Sequence, residues 1–438
     1  MATDTHISSG EGRRRALHVA VAALAAILLS LAPGPAGSYH DEDEELEGRA
    51  PTAEELRPSV EAAFQRESYA PGSQASLVIF NAARGIKVQL FHTGPEKVRT
   101  RGNSELRGVP VTRPIAVGAS RGRRELEVRV GDWPSGLYFA RLSASDGRVG
   151  FAPFVVRPRR LGEHRVAVVL PTITWQAYNL RDDDGDGKGD TWYARWNTHV
   201  ARLGRPYLNR GVPYNFRRYD LPFLHWLAEN GHHVDLLSDT DLDTVKSGEQ
   251  LAEAYALIVF PGHHEYVTKH EYDVVERYRD LGGNLMFLSA NNFFWQIVRD
   301  GNVIEKTKQW RELGRPEAAL LGVEYRGNDG GARRGPWIVR RSAAAEWVFA
   351  GTGLKDGSAF STGGIEIDKT GSASPRGVQV VAEIRDLFGP GFTAQMTYYE
   401  TPADAKVFAA GAFTLAGAVA RPEVSTVVGN LWAKLSQP

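Results

Sequence analysis

The 438-residue sequence contains no cysteine. That absence removes thiolate nucleophiles, thiolate zinc sites, iron–sulfur clusters, redox dithiols and disulfide staples together. Any metal must be held by oxygen and nitrogen. Net charge is missing as well, since 52 Lys and Arg stand against 52 Asp and Glu. The basic excess that phosphate backbones require is not there, and no nucleic-acid partner is expected. Two catalytic signatures are also lacking. His263-x-Glu265 is not the HExxH of zinc peptidases, and Gly262, Gly282 and Gly283 do not make a GxGxxG dinucleotide fingerprint. No internal repeat is found. What the chain does have is a 42% hydrophobic share, ample for packed cores in two to three domains at roughly 100–200 residues each.

Arg13, Arg14 and Arg15 precede an apolar run from Ala16 to Leu31, which Pro33, Gly34 and Pro35 break before Ala36, Gly37 and Ser38. The run is shorter than the roughly 20 apolar residues a membrane span needs. Residues 1–37 therefore read as a cleaved signal peptide, and the protein as secreted or displayed at the cell surface. Membrane attachment is expected only through an uncleaved signal. The paired arginines also make a weak match to a twin-arginine signal, an export route for folded proteins. Every residue from Asp41 to Glu45 is acidic, and 38–70 reads as an acidic disordered linker.

Between 71 and 158, short β-rich runs at 76–80, 86–92, 125–130, 137–143 and 150–156 alternate with Gly, Pro and Asn. This is the rhythm of a small immunoglobulin-like β-sandwich. From 159 to 438 the pattern changes. Apolar strand runs at 165–171, 233–237, 256–260 and 284–289 alternate with helical periods at 220–230, 268–281 and 424–436. The expected fold there is α/β, a doubly wound parallel sheet. Residues 336–415 are less regular, with strand-like runs at 377–384, 394–400 and 406–411, and are placed in the same domain. Such sheets carry their sites beyond the carboxyl ends of the strands. Three strand ends bear polar clusters: PTITWQAYN at 171–179, PGHHEY at 261–266 and SANNFFW at 289–295. They place Tyr178, His263, Glu265 and Asn291 around one expected cavity. Titratable groups directly after a strand are seldom needed for packing.

These three segments, with FRRYDLPFLHWLAENGHHVDLLSDTDL at 216–242 and LGGNLMFLSANNFFW at 281–295, resemble in order the large-subunit domain of N,N-dimethylformamidase over most of 165–438. The resemblance implies a glutamine-amidotransferase-like (flavodoxin-like) α/β domain behind a small β-domain, without the cysteine that glutamine hydrolysis uses. It implies a mononuclear ferric iron held by Tyr178, Tyr219 and Glu265, with His263 and Asn291 beside it and Glu400 as a downstream acid and candidate general base. For the Lys that follows the Asn in the family, the nearest basic residues are Lys306, Lys308 and Arg311. The implied activity is hydrolysis of an amide or related C–N bond. Phenolate and carboxylate are hard oxygen donors suited to a trivalent ion. His263 would steady an oxyanion or shuttle a proton, and Asn291 would donate a hydrogen bond.

RDDDGDGKGDTWY at 181–193 sets Asp182, Asp184, Asp186 and Asp190 at positions 1, 3, 5 and 9 of a calcium loop, with Gly187 at the turn position 6. Lys188 would ligate through its backbone carbonyl, and Tyr193 stands where an EF-hand has Glu. A structural Ca2+ is expected. The competing function is a non-catalytic cell-surface protein that binds a glycan or other ligand through Trp175, Trp192, Trp196 and Trp295. Expected partners are thus a small amide or a glycan, and a homo-oligomer is compatible with the sequence.

Overall fold

A computed structural model describes residues 50–437 apart from Trp196, Arg341 and Thr414. The expected signal peptide, the acidic run and Trp196 lie outside the described residues. Near the N-terminus, alternating apolar residues pair into two sheets. One has three strands, Ala62–Phe64, Gln74–Ile79 and Arg124–Arg129. The other has six and is built around Ala82–His92, Gly136–Ser143 and Val149–Val156. Leu77, Ile79, Ile86, Tyr138, Leu142 and Phe154 join both sheets in one core. The strands Ala62–Phe64 and Ser68–Tyr69 fall within 38–70, the stretch expected to be linker. Val60, Ala62, Phe64 and Tyr69 are buried there, so ordered chain begins before residue 71. Strands of two or three residues leave no periodicity to read.

Because strand side chains alternate between faces, Leu137, Phe139, Phe151 and Val155 point away from that first core. They join Val168, Leu170 and Leu236 in a second one, and Leu236 N donates to Ser135 Oγ at 2.7 Å. Apolar packing thus runs across the boundary expected at 158/159.

The largest sheet has eleven strands. Five neighbours run parallel in the order Asp235–Ser238, Val166–Leu170, Leu257–Phe260, Asn284–Phe287 and Lys406–Ala409. From there the sheet continues antiparallel through Ala394–Glu400, Gln379–Ile384, Arg334–Val339, Ala359–Lys369 and Glu324–Asn328. Ala412–Phe413 also pairs with Ala359–Lys369. A four-stranded sheet joins Val200–Arg202, Val303–Gln309, Trp295–Asp300 and Tyr266–Thr268.

This architecture corrects the expected fold class. A flavodoxin-like or glutamine-amidotransferase-like doubly wound α/β sheet needs a helix between nearly every pair of strands. The molecule is instead mostly β, with several large mixed sheets and about 20% helix. Nor do the two N-terminal sheets stand apart as an immunoglobulin-like sandwich, since the second shares its outer face with the core below. Among the described residues, the helices of nine residues or more are Leu221–Glu229, Lys269–Asp280 and Pro422–Leu435. The physical reason lies in the connections. An apolar run such as 377–384 has the same composition in either direction, and its direction is set by the segment that links it to the next strand. The loop 385–393 carries no helix, so Gln379–Ile384 and Ala394–Glu400 close as an antiparallel pair. No described helix is long and apolar enough to cross a membrane.

Candidate active site

The strand Val166–Leu170 ends at Pro171 and turns directly into the buried helix Thr172–Ala177, which delivers Tyr178 at its C-terminal end. Leu257–Phe260 ends in Pro261, Gly262 and His263. The short turn Phe216–Tyr219 brings Tyr219 and the buried Asp220 to the same place. These segments meet at Gly262, where a Cβ would lie 2.5 Å from Asp220 Oδ1 and 2.8 Å from Pro171 Cγ. Only glycine lets them close. With Trp175, Glu366 and Phe413 they line a cavity of about 340 Å³, at the carboxyl ends of the parallel strands. A larger cleft of about 690 Å³ on the six-stranded sheet shares no lining residue with it.

At the inner end of the cavity several polar atoms converge. The Tyr178 hydroxyl donates to Glu265 Oε2 at 3.0 Å, and the Tyr193 hydroxyl donates to the same oxygen at 3.0 Å. His263 Nε2 lies 3.2 Å from the Tyr178 hydroxyl, 3.2 Å from Glu265 Oε2 and 3.6 Å from Glu366 Oε2. His263 Nδ1 donates to the Ala290 carbonyl at 3.0 Å, which fixes the ring and turns Nε2 inward. Glu265 is fully buried and Glu366 nearly so, and Glu265 Oε1 and Glu366 Oε2 have no hydrogen-bond partner among the described residues. Phe413 packs against both His263 and Tyr219, each at a centroid distance of 4.8 Å. Tyr178 stacks on Tyr193 and Tyr214.

Burial pushes the Asp220 carboxyl up to about 7. It does the same to Asp368, also up to about 7, whose oxygens accept the Asn291 N–H at 2.9 and 3.2 Å. Burial drives His264 down to about 3. Its ring lies between the Gly262 and Val169 carbonyls, a structural position. The cavity wall also holds residues in left-handed backbone, Asn215 at φ 54 and Ile365 at φ 72. For a β-branched residue that conformation costs on the order of 1–3 kcal/mol, and such strain gathers at functional sites.

Of the sequence candidates, Tyr178, His263 and Glu265 are brought within hydrogen-bonding distance, and Tyr219 lines the same cavity. Asn291 is buried beside them with left-handed backbone at φ 52, one residue after the carbonyl that holds His263. Glu400 is a correction. It is exposed at the end of Ala394–Glu400, in register with Lys406, the first residue of a parallel strand, and so at the opposite end of the sheet. Its carboxylate accepts the Tyr398 hydroxyl. The downstream acid facing His263 is Glu366. None of the three basic candidates lines the cavity: Lys306 Nζ sits 4.4 Å above the Trp295 ring, Lys308 is exposed, and Arg311 pairs with Glu317. Glu366 and Tyr193 escaped the sequence reading. Glu366 and Asp368 alternate on a strand that is otherwise apolar or small, and two acids at that spacing on a buried strand were the signal available.

In the acidic loop, Asp182, Asp184 and Asp190 bring carboxylate oxygens within 4.8 Å of one another. Asp182 accepts the Gly185 and Gly187 N–H groups at 2.6 and 2.8 Å, and the Gly187 bond foremost holds its carboxyl below the usual range. The Arg195 guanidinium reaches Asp186 at 2.7 Å, Asp190 at 3.2 Å and the Lys188 carbonyl at 3.4 Å. Trp192 and Trp295 are buried in an apolar cluster. They present no open stacking face, while Trp175 lines the cavity.

The inner side chains offer the kinds of donor a hard ion takes. Two ligands at right angles, each about 2 Å from an octahedral ion, are about 2.8 Å apart. Tyr178 and Glu265 oxygens stand 3.0 Å apart, and all the donors are oxygen or imidazole nitrogen.

Residues 123–426 match the family described as N,N-dimethylformamidase beta subunit-like, C-terminal. The N,N-dimethylformamidase beta subunits of Alcaligenes sp and Paracoccus aminophilus are each 30% identical over 185 residues. That alignment takes in 40% of this chain and 23% of each relative, so the chain matches less than a quarter of the relatives' length. Among solved structures, the mmIFT52 N-terminal domain superposes with a TM-score of 0.31 at 13% identity, over 48% of this chain and 87% of that one. A likeness so distant carries no argument.

Proposed function

Because the chain belongs to the N,N-dimethylformamidase beta subunit-like family, we propose that its cavity is the active site of an exported, ferric-iron-dependent hydrolase of an amide or related C–N bond. The observation that carries the proposal is the meeting of the Tyr178 hydroxyl, Glu265 Oε2 and His263 Nε2 within 3.0–3.2 Å at the buried end of the cavity. Tyr178, Glu265 and Tyr219 would hold the iron. When bound, it would supply Lewis-acid polarisation of the amide carbonyl and lower the pKa of water.

The remaining steps belong to the chain's own groups. Trp175, Tyr214 and Phe413 form walls that bind the apolar part of a substrate and exclude water. His263 Nε2 takes the proton of the attacking water and returns it to the departing amine, while Nδ1 stays bonded to the Ala290 carbonyl. Glu366 supports the charged imidazolium between those two transfers. Tyr193 helps hold Glu265 in place, donating to the same Oε2 as Tyr178, on whose ring it stacks. The acidic loop fits the same reading as a structural calcium site that continues the chain from Tyr178.

Metal analysis joined to visible absorption tests the proposal, because phenolate on ferric iron is coloured and calcium sites are not. The expected result is near-stoichiometric iron with a visible band that shifts or vanishes in Tyr178→Phe and Tyr219→Phe, together with release of amine from an amide. A colourless protein that takes up no iron when ferric iron is offered would overturn it.

A further inference from the structure

The cavity's charges are arranged in depth. Asp220, His263 and Glu366 form its inner wall and are buried, whereas Arg218 and Arg334 line it from exposed positions at the mouth. Among the described residues, neither arginine has an acidic side chain within ion-pair distance. Other exposed arginines of the chain, such as Arg99, Arg159 and Arg277, do have a carboxylate partner. Two uncompensated guanidiniums at one cavity mouth leave a local positive potential that low-dielectric walls concentrate. Each also presents a planar fork of donors matched to a carboxylate.

Size points the same way. About 340 Å³ is the volume of roughly eleven liquid waters at about 30 Å³ each. The smallest tertiary amide would leave much of that empty, and the apolar walls between the inner donors and the arginines would stay wet. A substrate of about ten non-hydrogen atoms would fill it, with its amide at His263 and its far end among Arg218, Arg334 and the backbone of Gly330 and Gly331.

We infer that the preferred substrate is an anionic amide, one whose scissile C–N bond sits at the inner donors while a carboxylate several bonds away is held by Arg218 and Arg334. The inference rests on the amide-hydrolase reading for its chemistry, but the capture of an anion at the mouth is tested separately. The carboxylate belongs to the acyl half of the amide or to the amine half, and one pair of probes addresses each. Succinamate against butyramide places the charge on the acyl side, and N-acetylglycine against N-ethylacetamide places it on the amine side.

Two measurements decide it. One is kcat/KM for the four amides with the iron-loaded wild type, Arg218→Gln, Arg334→Gln and Arg334→Glu. The other is calorimetric binding of the same amides to His263→Gln, in which turnover is suppressed. The wild type is expected to favour the charged member of at least one pair by tenfold or more. Each arginine-to-glutamine change should reduce that ratio by roughly tenfold, and Arg334→Glu should reverse it. Thermal melts confirm that the variants fold, and because both arginines are exposed, truncation leaves no buried gap. Equal treatment of both members of each pair, or a preference that survives all three variants, would overturn the inference while leaving amide hydrolysis standing. Selective binding of the charged member without turnover of any amide would support anion capture and count against the hydrolase reading instead.

Discussion

Two clusters of oxygen donors hang from the helix Thr172–Ala177, and they are built in opposite ways. Tyr178, Tyr193 and Glu265 form the first, at the inner end of the cavity. Glu265 is fully buried, and three neighbouring groups hold its Oε2 within 3.0–3.2 Å. Asp182, Asp184, Asp186 and Asp190 form the second, largely open to solvent, with the Arg195 guanidinium reaching three of them and a loop carbonyl. Coulombic interactions between exposed charges are weakened by water and salt, whereas buried ones keep their strength and must be satisfied. A buried cluster of fixed donors is the kind of site the proposed iron and substrate require. An open one with its own internal cation can at most stiffen a loop. The proposed chemistry is therefore assigned to the first cluster, where the interactions are buried and unscreened.

The largest effect that would sharpen this contrast is expected from His263→Gln. Removing the proton carrier should lower kcat for an amide by about 10²–10⁴-fold, while iron content and the visible band stay near wild type, because His263 is not an expected ligand. Tyr193→Phe should act differently, with a smaller loss through weaker metal retention, roughly 10–100-fold in affinity. If His263→Gln strips the iron and Tyr193→Phe does not, the division of labour between the two residues is wrong.

A third set of oxygens tests the opposite limit, burial without donors. Neither carboxylate oxygen of Glu271 has a hydrogen-bond partner among the described residues, and Asp239 Oδ1 has none either. Both residues are essentially inaccessible. Burial, and then the charges of Asp239 and Asp243, drive the Glu271 carboxyl well above its usual range, and Asp239 is raised for the same leading reason. A carboxyl raised in the folded state binds its proton more tightly than in the unfolded chain. Its contribution is therefore fully present below the unfolded carboxyl pKa of about 4.3 and is lost as pH rises through the raised value. Glu271→Gln, which keeps the shape without the ionisation, should flatten the decline in stability from acid to neutral pH and stabilise the protein at pH 7. Parallel denaturant titrations across that range check it, and a steeper decline in the variant would show that Glu271 is ionised and paired.

Much of the inner cluster was legible in the sequence for a physical reason. Tyr178, His263 and Glu265 stand just past apolar strand runs, where side chains that packing does not require are conspicuous. Glu366 was not, because its strand arrives from the antiparallel half of the sheet. The resemblance pointed instead to Glu400, which the register carries to the far end. The same gap explains the fold class. The runs at 165–171 and 256–260 do lie parallel, but composition alone did not reveal that residues 324–400 would extend them as an antiparallel sheet rather than wind helices over them. Tyr193 was visible only as the missing twelfth ligand of the acidic loop, although it belongs to the buried cluster.

The smallest effect is expected at the open cluster. Extracellular-type calcium loops bind at about 10⁻⁴–10⁻³ M, and a tenfold excess over such a Kd stabilises by about 1.4 kcal/mol. In a chain of this size that corresponds to a rise in Tm of only a few degrees. Here calcium must also displace Arg195 from Asp186 and Asp190, so Arg195→Gln should strengthen calcium binding and Asp184→Asn should abolish the rise. Melting curves with calcium and with a chelator, on wild type and both variants, make the comparison. If calcium shifts none of the three, the internal arginine is the loop's permanent counter-charge and the Asp spacing serves an ion-pair turn. If it shifts Arg195→Gln alone, the loop is a cation site that this chain has closed with its own guanidinium. A rise in wild type that Asp184→Asn removes would put the ion in the loop itself. It would then tie the position of Tyr178, four residues before Asp182, to extracellular calcium.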